Sequence, residues 1–196
     1  MILHILFFII WIYILWVTKR AKLDFFKFCI GSVGLFVFMM IWLQPVATLP
    51  LTKIVAAGTG ILGKITKMYE SYYEYGMIFI TQNDSSISLY IDYECSGIIE
   101  IMAFSSMLWF FPVYNFFEKF IITIGGIVWI FMANVFRIFA ICTMIFFFGN
   151  NVFYLAHTVF GRIIFYVLSV ILYFYVFTKS QVIRQKVGNF NYGDDI

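Results

Sequence analysis

Between Phe120 and Phe148 the chain carries one charged side chain, Arg137, in an otherwise apolar run. As a straight helix this run would be ~44 Å long at ~1.5 Å per residue, well beyond a ~30 Å hydrocarbon core. It must tilt, project past a bilayer or break, and Asn134–Arg137 is where a break would fall. Four further apolar stretches accompany it, Ile2–Val17, Phe25–Leu43, Ile98–Tyr114 and Val159–Thr178. Of 196 residues 63% are hydrophobic and 12% charged, against roughly 25% charged in soluble domains. No water-soluble fold of this size could hide that much apolar surface. A soluble globule, a nucleic-acid binder, a disulfide scaffold and a disordered tail are excluded. The expectation is an all-α polytopic membrane protein, one integral-membrane domain over residues 1–196 with about five transmembrane helices. Ile2–Val17 lacks the basic leader and the small-residue cleavage site of a signal peptide, and is read as a retained span.

Lys and Arg near span ends set the orientation. Lys19, Arg20, Lys22 and Lys27 cluster between the first two spans, Lys119 lies between the third and fourth, and Lys179, Arg184 and Lys186 follow the last. Five spans place all these groups on one side, the cytoplasm, with the N-terminus outside and the C-terminus inside. The outer side receives residues 44–97 and the short connection Gly149–Thr158. Within the first, Val46–Met68 spaces apolar residues at helical intervals and reads as an interfacial or re-entrant helix. Met77–Ile80 and Ile87–Tyr93 are β-prone and flank Gln82-Asn83-Asp84-Ser85-Ser86, the signature of a small hairpin or lid.

Ionisable groups inside a membrane are costly and point to function by default. Glu100, Arg137, His157 and Arg162 are those without a topological role. Cys95 precedes the third span and His157 the fifth, both on the outer face. Arg137 lies roughly 16 Å below the outer end of its run if that run is straight. Three segments thus bring a thiol, an imidazole and a guanidinium toward one leaflet. A thiolate is a strong nucleophile favoured by nearby positive charge. An imidazole exchanges protons near neutrality, and an arginine holds its charge and can stabilise an oxyanion. Together they suit acyl transfer through a thioester, although each alone has a plainer reading as a buried thiol, an interfacial histidine or a structural ion pair. Cys29 and Cys142, inside apolar runs, read as small buried hydrophobes. His4 and His157 are far apart, and no Cys-x-x-Cys, His-Glu-x-x-His or glycine-rich phosphate loop occurs, so neither metal nor cofactor is expected.

The local sequences add a resemblance. Glu94-Cys95-Ser96-Gly97-Ile98 resembles the Cys-Ser-Gly nucleophile motif of the exosortase/archaeosortase family. Asn134-Val135-Phe136-Arg137-Ile138 resembles its Asn-x-x-Arg motif, and His157-Thr158-Val159-Phe160-Gly161 its His-x-x-x-Gly motif. The motifs occur in the family's order over about residues 90–165, and the short chain is most similar to the Gram-positive exosortase subgroup (the XrtG type). The resemblance implies a membrane transpeptidase or protease with Cys95 as nucleophile, Arg137 as oxyanion stabiliser and His157 as general acid/base. Ser96, Gly97, Asn134 and Gly161 are then supporting positions, Asn134 orienting and Gly161 allowing close helix packing. Implied substrates are exported proteins whose C-terminal signal combines a short motif, a membrane helix and a basic cluster. Their new carboxyl end passes to an acceptor nucleophile at the surface of the plasma membrane. Glu100 and Arg162 fall outside the shared motifs, and a buried pair between them, or between Glu100 and Arg137, is expected. The alternative is a non-catalytic membrane scaffold or accessory subunit of a surface-polymer assembly system. A small transporter fits less well, since no span pair shows repeat symmetry.

Overall fold

The computed structural model describes residues 2–82, 85–91, 93 and 95–182; the side chains of residues 2–4, 82, 85 and 86, His4 included, lie outside that description. So do Asn83 and Asp84 of the expected turn, Glu94 of the nucleophile motif, and Arg184 and Lys186 of the basic tail. Helix α1 (Ile2–Arg20) turns back into α2 (Asp24–Trp42), and Trp11 donates its indole N–H to the Ile30 carbonyl at 2.9 Å. Helix α3 (Gln44–Thr66) leads into a sheet of β1 (Glu70–Tyr72), β2 (Met77–Gln82) and β3 (Ser85–Tyr90). Helices α4 (Ile98–Phe110) and α5 (Phe116–Phe148) follow, and the last helical run, α6 (Asn150–Val182), includes a π segment over Ala156–Phe160. Four of these helices, α2, α3, α5 and α6, are long and apolar enough to cross a membrane. Large side chains such as Phe25, Val46, Phe116 and Val170 face outward, as expected where lipid is the solvent. This is a multi-pass membrane protein.

Helix α5 is the axis. Its start is fixed by a capping box in which the Glu118 carboxylate accepts the Asn115 N–H at 2.8 Å. Of the accommodations the sequence left open, a break is the one not taken: the helix runs unbroken through Asn134–Arg137. No proline interrupts it, and Asn134 finds a partner without opening the helix. The excess length is taken up at its C-terminal third, which protein covers. Ile138, Ile141, Cys142 and Ile145 of α5 form one core with Val55 and Ala56 of α3 and with Ile78, Ile80, Leu89 and Ile91 of the sheet region. A second core, between α4, α5 and α6, contains Phe104, Leu108, Ile130, Ala133, Phe165 and Leu172. Cys142 is fully buried and Cys29 half-buried, both as free thiols.

The hairpin is present, with strands that run further toward the turn than the β-prone segments and a β3 that ends at Tyr90 instead of Tyr93. β2 pairs antiparallel with β1 (Glu70 opposite Phe79) and with β3 (Met77 opposite Tyr90, Gln82 opposite Ser85). Alternation puts Ile78, Ile80 and Leu89 inward while Ser88 and Tyr90 face out. Strand β1 was not legible in advance, because a three-residue strand carries too little pattern. It is anchored to α3 instead: Tyr69 donates its hydroxyl to the Thr59 carbonyl (2.8 Å) and Ser71 to the Ala56 carbonyl (2.7 Å). Burial raises the pKa of Tyr69, which keeps that hydroxyl a donor. Small residues on α3 permit the approach. A Cβ at Gly63 would lie 2.7 Å from the Tyr69 carbonyl oxygen.

Two boundaries differ from the sequence reading. Helix α4 stops at Phe110, and Phe111 is extended (ψ 124°) because it precedes Pro112. At ~20 Å it is shorter than a full span. Residues 150–158, read as a connection, are helical and belong to α6. The segment read as an interfacial helix is as long and apolar as a span, and its buried face (Thr52, Val55, Ala56, Thr59, Gly60, Gly63) packs toward β1 and α5.

Adjacent glycines in α5 provide a test of this packing. A Cβ at Gly126 would overlap the buried Phe104 ring, whereas one at Gly125 meets nothing within 4 Å. Gly126→Ala is expected to cost about 1–3 kcal/mol through overpacking, and Gly125→Ala to be neutral or slightly stabilising. Thermal unfolding of the two variants in detergent separates these outcomes.

Candidate active site

Cys95 stands in the turn that opens α4. Ser96 is buried, donates its hydroxyl to the Tyr93 carbonyl (2.8 Å) and accepts the Ile98 N–H (3.3 Å). Gly97 is the N-cap in the left-handed region (φ 79°), a conformation strained for any residue with a Cβ. The thiol therefore lies at the positive end of α4, where negative charge is favoured. Asn134, fully buried on α5, donates its side-chain N–H to the Cys95 carbonyl at 2.5 Å. One turn along the same helix, Arg137 is only 6% exposed and points Nη2 at Cys95 Sγ, 3.8 Å away. The guanidinium also lies over the Phe165 ring of α6 at 5.6 Å, a cation–π contact that offsets burial of the charge.

His157 comes from the π segment of α6. Such single wide turns shift the register of side chains and are common at functional sites. Its Nε2 lies 3.2 Å from Cys95 Sγ, and its ring stacks on Phe153 one turn earlier (centroids 6.1 Å apart, planes 6°). Gly161, the next turn along, lies against α5, where a Cβ would fall 2.7 Å from Ile141 Cδ1. Thiol, imidazole and guanidinium, 62 and 42 residues apart in sequence from the thiol, thus meet at hydrogen-bonding distances. Proton transfer from Sγ to Nε2 would leave a thiolate beside two cations, the arrangement that activates a cysteine nucleophile.

The family model described as "Transmembrane exosortase (Exosortase_EpsH)" matches residues 1–174. The chain belongs to the transmembrane exosortase family. No curated protein and no solved structure matches it. Cys95, Arg137 and His157 all fall within the exosortase match.

Among the described residues, the structure brings the candidate positions together: Ser96 and Gly97 shape the Cys95 turn, Asn134 ties that turn to α5, and Gly161 lets α6 approach. The ion-pair expectations fare differently. Arg162 is exposed and does not pair with Glu100. Its position next to Gly161 turns it away from the α5 contact. Glu100 lies near enough for Arg137 to act on it electrostatically. Yet neither Glu100 Oε2 nor Arg137 Nε has a hydrogen-bond partner, so the pair is not in direct contact. Sequence reasoning missed Phe153 and Phe165. The first was accessible, since it lies four residues before His157 and shares its helix face. The second depends on how α5 and α6 cross.

Losing the Asn134 hydrogen bond would release the tie between α5 and the Cys95 turn. Asn134→Leu is expected to lower the alkylation rate of Cys95 by about 10²-fold, the scale of a small misplacement of a reacting group. Mass spectrometry of iodoacetamide-treated protein would measure it, and an unchanged rate would remove Asn134 from the site.

Proposed function

We propose that this exosortase-family chain is a membrane-embedded cysteine transpeptidase or protease. It cleaves C-terminal sorting signals of exported proteins at the outer face of the plasma membrane. The observation that carries the reading is the meeting of Cys95 with His157 and Arg137 in a buried turn. His157 takes the Cys95 proton, and the thiolate attacks the scissile carbonyl carbon. Arg137 holds the developing oxyanion. As the C–N bond breaks, His157 gives its proton to the leaving amine, and the amino-side product remains as a Cys95 thioester. An acceptor amine, hydroxyl or water then loses a proton to His157 and attacks the thioester carbonyl. The Cys95 sulfur leaves and regains its proton. Hydrolysis and transpeptidation differ only in this acceptor.

Orientation follows the basic residues. Lys19, Arg20, Lys22, Lys119 and Lys179 face the cytoplasm, which puts the N-terminus and the cysteine outside and the C-terminus inside. Substrates carry a motif, a membrane helix and a basic tail, so that their helix lies in the bilayer beside the enzyme. The chain's small size fits the short Gram-positive exosortase subgroup (the XrtG type).

Cys95→Ala and Cys95→Ser are expected to abolish cleavage. Arg137→Lys is expected to lower its rate by about 10²–10³-fold, because an ammonium lacks the planar fork. The decisive comparison is mass spectrometry of membranes from cells with the intact chain and with Cys95→Ala. Surface proteins that keep their C-terminal hydrophobic helix only in the variant would support cleavage and reveal the motif. Identical membranes, with a phenotype on deleting the whole chain, would favour a non-catalytic scaffold of surface-polymer assembly.

A further inference from the structure

Helices α4 and α6 run side by side in the same direction away from the candidate site. Cys95 meets His157 at one end, Phe104 meets Tyr173 edge to face in the middle (5.9 Å), and Phe111 meets Phe177 at the other end (5.0 Å). One turn back toward the site from the Phe104–Tyr173 contact stand Glu100 on α4 and Ser169 on α6. One turn further along α6 is Phe165, under the guanidinium of Arg137. Electrostatics agree with this layering, since Glu100 is in reach of both Arg137 and Tyr173. At this level three helices contribute a buried polar atom without a hydrogen-bond partner: Glu100 Oε2, Arg137 Nε and Ser169 Oγ. Polar atoms are rarely left so in a protein interior, and they mark a place where electrostatics outweighs packing.

We propose that Glu100 is a positioning residue that acts through Arg137. Its carboxylate balances the guanidinium from below, on the Nε side, and so sets how much of the positive charge is felt by the Cys95 sulfur at the Nη2 side. The inference rests on the proposed pairing of Cys95 with Arg137. The other groups around the thiol are His157, Tyr93 in its own turn, and Tyr69 and Cys142 in the same core cluster. Around Glu100 they are Arg137 and Tyr173. Helix α2, packed on α4, has only Cys29 as a titratable side chain between Phe28 and Trp42. On α3 and just after it, Lys53, Lys64 and Lys67 are exposed.

The test follows the rate of Cys95 alkylation by iodoacetamide against pH. It uses the full chain in lipid nanodiscs, read peptide by peptide so that Cys29 and Cys142 do not interfere. Glu100→Gln keeps the shape and removes the charge, which leaves more of the guanidinium's charge for the thiolate. The midpoint of the profile is expected to fall by about one pH unit. Glu100→Asp keeps the charge and should stay near the parent midpoint. Glu100→Met, apolar and of similar length, should match the Gln variant and decides the matter if that variant does not fold. Added to Arg137→Gln, Glu100→Gln should produce no further shift. An unchanged midpoint in the uncharged variants, or a shift that persists without Arg137, overturns the proposal. Alkylation needs no substrate. A shift in a protein that cleaves nothing would therefore count against the function proposed above and still support the Glu100–Arg137 link.

Discussion

A guanidinium cannot shed its charge at any pH a protein meets, and Arg137 is almost fully buried in the longest helix of an apolar chain. Its surroundings make that tolerable. Phe165 offers a ring face, Cys95 a polarisable sulfur, and the Glu100 side chain stands within electrostatic reach. These three groups come from α6, from the turn before α4, and from α4 itself. The helices around Arg137 are therefore arranged as much around one charge as around apolar packing, which in lipid gains little from water exclusion.

The second constraint is the backbone at the thiol. A turn buried among helices must satisfy its carbonyls and N–H groups internally. Ser96 and Asn134 do so for this turn, and Gly97 supplies the left-handed residue that starts α4. The sulfur is thereby fixed between His157 and Arg137 while its carbonyl is held from α5. Because α5 continues unbroken beyond Arg137, the sheet and α3 have an apolar surface to pack on. That covering layer closes over the side of the site that faces away from α4 and α6.

Much of this was legible. The apolar runs gave the membrane class and most helices, β-prone segments around a turn-like stretch gave β2 and β3, and three short motifs marked the side chains that meet. Other features depended on distance in space. A 33-residue helix could be reconciled with a bilayer in several ways. Only the sheet packed on its end shows that it stays whole. The three-residue β1 is defined by hydrogen bonds to α3, which leave no mark in its own composition. The expected Glu100–Arg162 pair failed because one residue along a helix, a rotation of about 100°, separates buried Gly161 from exposed Arg162.

By itself, the sequence determined the solvent this protein folds in and the chemistry available to it. Hydropathy is a sum over residues, and a thiol, an imidazole and a guanidinium keep their character wherever they stand. Only the tertiary structure decided that these three meet at 3.2 and 3.8 Å and that α5 remains one helix. Those outcomes turn on helix rotation, a π turn and the crossing of α4, α5 and α6. They arise from packing between segments far apart in the chain, which no local pattern encodes.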